Sequence, residues 1–131
     1  MSRELESKIL LQFEQALGRL DSAVHQKKDE FVRDACIQRF EFTFELAWKT
    51  LKQFAKSKGV NNINSPRDAF KAAFKLGFIG DNPVWLEMIE FRNLTTHTYN
   101  IVTAEAIYDM LPKFLVSFKE LCNKLNETLA R

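Results

Sequence analysis

Residues that bend or break a chain are scarce in this sequence. Its 131 residues include four glycines and three prolines, so the backbone has few places to reverse direction. Such a composition favours a small number of long elements, and helices are the elements we expect. The chain length is that of one domain with a substantial core, and we predict a single domain spanning residues 1–131.

Motifs for metal, nucleotide and disulfide chemistry are also missing. No Gly-x-Gly-x-x-Gly, Walker or His-Glu-x-x-His pattern occurs, and the two histidines lack neighbouring ligands at metal-binding spacing. Cys36 and Cys122 are far apart and are expected to be reduced core thiols. Glu41 and Glu45, one helical turn apart, could in principle hold a cation, but nearby lysines make a solvated face the simpler interpretation. We therefore expect no metal and no cofactor.

Long apolar runs and a dominant charge are likewise absent. Hydrophobic residues make up 46% of the chain, and the formal net charge is +2, which is too mild to imply binding to nucleic acid or membranes by charge alone. Four charged side chains among residues 1–12 occupy the place where a signal peptide needs apolar residues, and no stretch approaches the roughly 18–20 apolar residues of a membrane span. We expect a cytoplasmic protein that makes no contact with membranes.

What the sequence does contain is apolar residues at helical spacing along most of its length. In the first helix the predicted buried stripe begins at Leu5. The second helix carries apolar side chains on several faces, so we expect it either to lie centrally in a bundle or to meet a second chain as well. Capping and breaking residues set the predicted boundaries: a first helix ending near residues 26–28, a second from Asp29 to Gly59, a short third from Ser65 to Gly77, a fourth after residues 81–83, and a last one starting at Thr103 or a neighbour, with a kink at Pro112.

Residues 92–99, Arg-Asn-Leu-Thr-Thr-His-Thr-Tyr, place a guanidinium, an amide, an imidazole and a phenol in one short segment. At about 100° per residue, Asn93 and His97 share a helical face, whereas Arg92 lies about 140° from His97. Because residues 98–102 are mostly β-branched or turn-prone, we predict that the helix ends between Thr95 and Tyr99. The imidazole could then turn back toward Arg92.

This combination of side chains is suited to phosphodiester chemistry. A neutral histidine can take a proton from a ribose 2′-hydroxyl, and an arginine can stabilise the charge that develops on phosphate, without a metal ion. Asn93 could orient the imidazole. The alternative is that the arginine and histidine only cap carbonyl groups at a helix end.

The 92–97 segment resembles the Arg-polar-x-x-x-His signature of HEPN domains, and Tyr99 extends it to the Arg-x-x-x-x-His-x-Tyr motif of toxins in HEPN/MNT toxin–antitoxin modules. Three further segments resemble the nucleotidyltransferase substrate-binding proteins of the same superfamily: residues 39–52, residues 65–67 and residues 85–86. Together these similarities cover most of the chain. Thr96 and Asn100 depart from relatives that often have a serine before the histidine and an acidic residue after the tyrosine.

The resemblance implies an all-α fold, an up-and-down four-helix bundle with an additional short helix, which forms a homodimer that brings two motifs into one cleft. It implies metal-independent RNA cleavage by Arg92 and His97, with Asn93 as the orienting residue. It also implies a separately encoded minimal nucleotidyltransferase as partner, which silences the toxin by adenylylation of Tyr99.

Two other functions stay open at this stage. The protein could be a non-catalytic subunit that binds a substrate or nucleotide for the nucleotidyltransferase. It could also be a plain helical interaction module in which Arg92 serves stability alone.

Overall fold

Five α-helices and one 3-10 turn form the computed structural model, which describes residues 2–131. Met1, the first residue of the predicted domain, lies outside this range. The helix bounds are α1 Ser2–Val24, α2 Glu30–Ser57, α3 Pro66–Lys75, α4 Val84–Leu94 and α5 Ile101–Ala130, with the 3-10 turn Thr95–His97 between α4 and α5. The predicted all-α class and the number of helices are confirmed.

Side-chain caps begin α2 and α3 where the sequence predicted them. The Asp29 carboxylate accepts a hydrogen bond from the Val32 N–H at 2.7 Å, and the Ser65 hydroxyl accepts one from the Asp68 N–H at 3.1 Å. Gly59 has a φ angle of 87°, a left-handed conformation that L residues with a Cβ adopt at a cost. The chain can therefore leave α2 abruptly at this residue.

The last helix starts two residues before Thr103. Asn100 is its N-cap, and the Asn100 side-chain oxygen accepts hydrogen bonds from the N–H groups of Val102 and Thr103 at 2.9 and 3.3 Å. This cap compensates for the weak helical propensity of the β-branched first turn. From there α5 continues past Pro112 to Ala130 as one helix.

Helix α2 contacts each of the other four helices, which confirms the first of the two roles predicted for it, a central position. Phe40 of α2 stacks on Phe114 of α5 with ring centroids 5.4 Å apart, and such aromatic packing supplies much of the buried apolar area of the core. One apolar stripe of α2 is almost completely buried in the core: Ile37, Phe40, Phe44, Ala47, Leu51 and Phe54.

The predicted stripe of α1 is wrong at its first residue, because Leu5 is 54% exposed while Glu6 is only 8% exposed. The buried face of α1 passes through Phe13, and Glu6 lies within about 20° of Phe13 on a helical wheel, whereas Leu5 lies about 80° away. The face that packs on α2 and α5 is thus narrower than the apolar pattern indicated.

No helix within residues 2–131 is both long enough and apolar enough to cross a lipid bilayer.

Candidate functional site

The site begins where α4 gives way to the 3-10 turn. Thr95 is the C-cap of α4 and is buried, and its hydroxyl donates a hydrogen bond of 2.7 Å to the Arg92 carbonyl oxygen. A threonine that bonds back to the preceding turn competes with helical hydrogen bonding, and the Asn100 cap starts the next helix soon afterwards. The predicted break in the helix is confirmed.

Arg92 is anchored by side chains on two helices. Its Nη1 donates to the Thr95 hydroxyl at 2.8 Å. The same Nη1 lies 3.5 Å from Glu41 Oε2, and Nε lies 3.6 Å from Glu45 Oε1. The guanidinium side chain is 26% exposed, so solvent reaches part of it while the rest faces α2.

Glu41 and Glu45 are residues whose role the sequence interpretation missed. They pair with Arg92 instead of forming part of a solvated face, and Glu45 also accepts a hydrogen bond of 3.1 Å from Trp48 Nε1. Lys49 follows Glu45 by one helical turn, the spacing at which an ion pair could form, but no such pair forms within residues 2–131. The signal available in the sequence was the spacing of the two acids, which puts both on one face of α2.

His97 is exposed, and its Nδ1 lies 3.1 Å from the phenol oxygen of Tyr99, whose side chain is 82% exposed. Among the described residues no hydrogen bond joins Arg92 to His97. Asn93 is exposed as well, and its backbone carbonyl accepts a hydrogen bond of 3.0 Å from the Thr96 hydroxyl, while its amide group bonds to no other described side chain. The structure therefore pairs the imidazole with Tyr99 and the guanidinium with α2.

Two basic residues fix the start of α5 beside this segment. Glu105 lies 2.5 Å from Lys28 Nζ and 3.4 Å from Arg33 Nη1. The hydrogen bond and positive charge of Lys28, together with those of Arg33, lower the pKa of the Glu105 carboxyl. These ion pairs join the start of α2 to the first turns of α5, the helix that begins two residues after Tyr99.

Exposed apolar side chains lie at the same end of the molecule. Phe31 in the first turn of α2 is 76% exposed, and Ile101 and Val102 in the first turn of α5 are 67% and 79% exposed. We call these three residues, which lie near Tyr99 in the chain or at the start of α2, the apolar end. Apolar side chains grouped on a surface in this way are typical of an interaction site.

A larger groove lies elsewhere on the molecule. It measures about 750 Å³ and runs between α1 and α2, with Arg19, Arg39 and Phe42 among its lining residues. A smaller depression of about 400 Å³ borders the candidate site and is lined in part by Gln38, Glu41 and Thr98. No cluster of three or more potential metal ligands occurs in residues 2–131.

Chemically, the site offers an arginine with two nitrogens close to acids and an accessible imidazole. The Nη2 atom of Arg92 forms no hydrogen bond with residues 2–131, so its two N–H groups can bind an anion. The Nε2 atom of His97 faces no described partner either, and it can exchange a proton with a bound ligand. The segment around the end of α4 thus carries both a cationic donor and an acid–base group.

Comparison with known families and curated proteins gives consistent matches. Residues 8–127 match the family described as "Nucleotidyltransferase substrate binding protein like". A protein of Haemophilus influenzae named "Probable ribonuclease HepT" is 32% identical over 95 residues, which is 70% of this chain and 65% of that protein. The match thus spans slightly less than two thirds of the relative's length.

Two solved structures resemble the whole bundle. A crystal structure of a Thermus thermophilus protein is 33% identical, with a TM-score of 0.81 over 86% of this chain and 98% of its own. HI0074 from Haemophilus influenzae is 26% identical, with a TM-score of 0.69 over 95% of this chain and 98% of its own; its structure is described as revealing the fold of a substrate binding domain of a nucleotidyltransferase.

Proposed function

Because this chain belongs to the nucleotidyltransferase substrate-binding protein family, we propose that it is a HEPN-type partner of a separately encoded minimal nucleotidyltransferase and cleaves RNA without a metal ion. The observation that carries the proposal is the location of Arg92 and His97 on either side of the break after α4, where each keeps a free nitrogen. The similarity to a relative named as a ribonuclease supports it.

In this mechanism His97 Nε2 removes the proton from a ribose 2′-hydroxyl. The 2′-oxygen attacks the adjacent phosphorus, the bond from phosphorus to the 5′-oxygen breaks, and a 2′,3′-cyclic phosphate forms. The 5′-oxygen takes a proton from an imidazolium or from water, while Arg92 Nη2 donates to the negatively charged phosphate oxygens. The base role requires the tautomer in which His97 Nδ1–H donates to the Tyr99 oxygen, because Nε2 then carries a lone pair.

A homodimer would complete this site. One chain supplies one imidazole, whereas the reaction uses both a base and an acid, so a second copy of His97 can provide the second group. Ile101 and Val102 of the apolar end, both mostly exposed, are side chains that such a dimer would cover. The role predicted for Asn93 was to orient the imidazole; because its amide bonds to no described side chain, we propose that it contacts the RNA instead.

Tyr99 is the proposed switch of a toxin–antitoxin pair. Its exposed phenol oxygen can attack the α-phosphate of ATP in the partner enzyme, which forms a tyrosyl–AMP bond and releases pyrophosphate, while the phenol proton passes to a base. The modified oxygen lies next to His97 Nδ1, so the added phosphodiester would occupy the space beside the imidazole. Adenylylation would thereby prevent RNA from reaching the site.

The direct test incubates the purified protein with RNA in the presence of EDTA. The wild type should cleave the RNA, and Arg92→Ala and His97→Ala should lose about 100-fold or more in rate, the usual contribution of an acid–base group. Cleavage that persists in both variants would remove the catalytic assignment. Intact-mass analysis after incubation with the partner enzyme and ATP tests Tyr99, because each AMP adds a defined mass that Tyr99→Phe should not acquire.

A second function, a binding subunit without nuclease activity, is favoured by one specific observation: the carboxylates of Glu41 and Glu45 flank Arg92, and His97 does not contact it. HI0074, described as showing a substrate binding domain, supports the same alternative. A tight complex with the nucleotidyltransferase, together with no RNA cleavage by either the free protein or the complex, would favour binding over catalysis.

A further inference from the structure

The three guanidinium nitrogens of Arg92 have different surroundings. Nε lies 3.6 Å from Glu45 and Nη1 lies 3.5 Å from Glu41, both on α2, and Nη1 also donates a hydrogen bond to the Thr95 hydroxyl. Nη2 forms no hydrogen bond with residues 2–131. Because α2 packs against every other helix, the two acids are attached to the most firmly embedded element of the bundle.

Arg92 Nε is a buried donor that forms no hydrogen bond within the described part of the chain. An unsatisfied buried donor is uncommon in folded proteins and calls for an explanation. The distance of 3.6 Å to Glu45 Oε1 is that of an ion pair, longer than the roughly 2.7–2.9 Å of a charge-assisted hydrogen bond. A small approach of the Glu45 carboxylate, whose other oxygen is bonded to Trp48 Nε1, would satisfy it. Nε therefore pairs with the Glu45 carboxylate and is not available to a ligand from solvent.

The charges of Glu41 and Glu45 show that these two acids do not serve to increase the affinity for a phosphate ligand. One guanidinium and two carboxylates carry a net charge of −1, so the cluster as a whole repels a phosphate. Glu41 and Glu45 weaken anion binding although they contact Arg92, the side chain that would bind the anion. Their presence is explained if they fix the orientation of the guanidinium. A guanidinium is planar, and its binding geometry depends on which edge it presents.

We infer that Glu41 and Glu45 are positioning residues for Arg92, which hold Nε and Nη1 so that the Nη2 N–H groups donate to the RNA phosphate, at the expense of RNA affinity. The inference rests on the proposed function for the identity of the ligand. It predicts a separation of kinetic constants, because loss of orientation lowers kcat, whereas loss of a negative charge beside the phosphate leaves KM unchanged or lower.

The kinetic test compares Glu41→Gln, Glu45→Gln and Glu45→Asp with wild type in RNA cleavage. Each should lower kcat by roughly 10- to 100-fold, as expected when a catalytic group is misplaced by about an ångström, with KM unchanged or lower. Glu45→Asp retains the charge but shortens the side chain, so it should behave like Glu45→Gln. The matched control is Glu90→Gln, an exposed acid two residues before Arg92, which should keep both constants. Unchanged kcat in all three variants, or full activity of Glu45→Asp, would overturn the inference.

A readout that does not need nuclease activity separates this inference from the proposed function. The Arg92 Nε–H signal can be assigned by ¹⁵N NMR through its disappearance in Arg92→Lys, and its exchange with water measured. It should exchange slowly in wild type and Glu90→Gln and at least tenfold faster in Glu45→Gln. If wild type does not cleave RNA, the proposed function fails. The positioning of Arg92 is still supported if its Nε–H exchanges slowly in wild type and rapidly in Glu45→Gln. Equal exchange in wild type and Glu45→Gln in a folded protein would reject it.

Discussion

His97 and Tyr99 form a hydrogen-bonded pair, with the imidazole Nδ1 3.1 Å from the phenol oxygen. The proposed base and the proposed modification site are therefore one structural unit. A change at the phenol oxygen therefore acts on the tautomer and orientation of the imidazole, because the hydrogen bond at one ring nitrogen fixes the tautomer at the other.

Tyr99→Phe should reduce RNA cleavage by about tenfold, part of the contribution of an acid–base group, because His97 loses the partner that selects its tautomer. The variant should also resist adenylylation by the partner enzyme. Rates under single-turnover conditions and intact mass measure the two effects. Tyr108→Phe is the control, since Tyr108 lies on α5 with Lys28 over its ring and forms no hydrogen bond with His97 among residues 2–131. Full activity of Tyr99→Phe would show that the pair has no role in cleavage.

Thr95→Val should lower the free energy of unfolding by about 1–2 kcal/mol, because Arg92 Nη1 and the Arg92 carbonyl each lose a buried hydrogen-bond partner. Denaturant unfolding measures the loss. Thr96→Val is a matched control: its hydroxyl also bonds back to the preceding turn, but it is exposed. Equal effects of the two substitutions would mean that the contact with Arg92 contributes nothing.

Glu105→Gln should remove a pH-dependent part of stability. The Glu105 pKa is lowered by Lys28 and Arg33, and a carboxyl with a lowered folded-state pKa stabilises the fold above its unfolded-state pKa and loses that effect as the pH falls through its folded-state pKa. Wild type should therefore exceed Glu105→Gln in thermal midpoint at pH 7, and the difference should shrink below about pH 4.5. Glu127→Gln, an exposed acid on the same helix, should show no such trend. A difference that is constant from pH 7 to pH 3 would contradict the ion-pair explanation.

Val102→Asp should disrupt a homodimer formed through the apolar end, because it places a charge on a side chain that is 79% exposed in the single chain and that the dimer would bury. Sedimentation or light scattering should report a dimer for wild type and a monomer for the variant. Val116 lies on the same helix, is 57% exposed and is about 20 Å along α5 from Val102. The Val116→Asp variant should therefore stay dimeric. A wild-type monomer at micromolar concentration would remove the dimer from the proposal.

Cys36 and Cys122 should resist alkylation in the native protein. Burial raises the pKa of both thiols, to about 11 for Cys122, where the negative charge of Glu14 adds to the effect. Near pH 7.5 the reactive thiolate is therefore scarce. Iodoacetamide followed by mass analysis should label neither residue in buffer and both in denaturant. Rapid labelling of the folded protein would contradict the burial of these thiols.

The sequence predicted most of the helical framework because caps and apolar stripes are local signals. Asp29 and Ser65 cap the starts of α2 and α3 with their side chains, and Gly59 follows α2 in a left-handed conformation. The break after α4 likewise depends on residues within one turn. The earlier start of α5 escaped prediction because a single cap at Asn100 outweighed the propensities of the residues after it.

The surroundings of Arg92 could not be predicted in the same way. A helical wheel shows that Glu41 and Glu45 share a face of α2, but it does not show which helix crosses that face. Their partner is about fifty residues further along the chain, and only the packing of α4 on α2 brings them together. The pairing of His97 with Tyr99 in place of Arg92 likewise depends on the direction in which the chain leaves the 3-10 turn.

The Asn100 cap has a consequence for how a modifying enzyme would meet Tyr99. Since α5 begins directly after this cap, the tyrosine backbone is fixed to a thirty-residue helix although its ring extends into solvent. Enzymes that modify mobile tails can draw an extended strand into their active sites. A partner of this protein would instead have to match a preformed surface, so recognition would depend on the shape of the folded bundle more than on the sequence around the tyrosine.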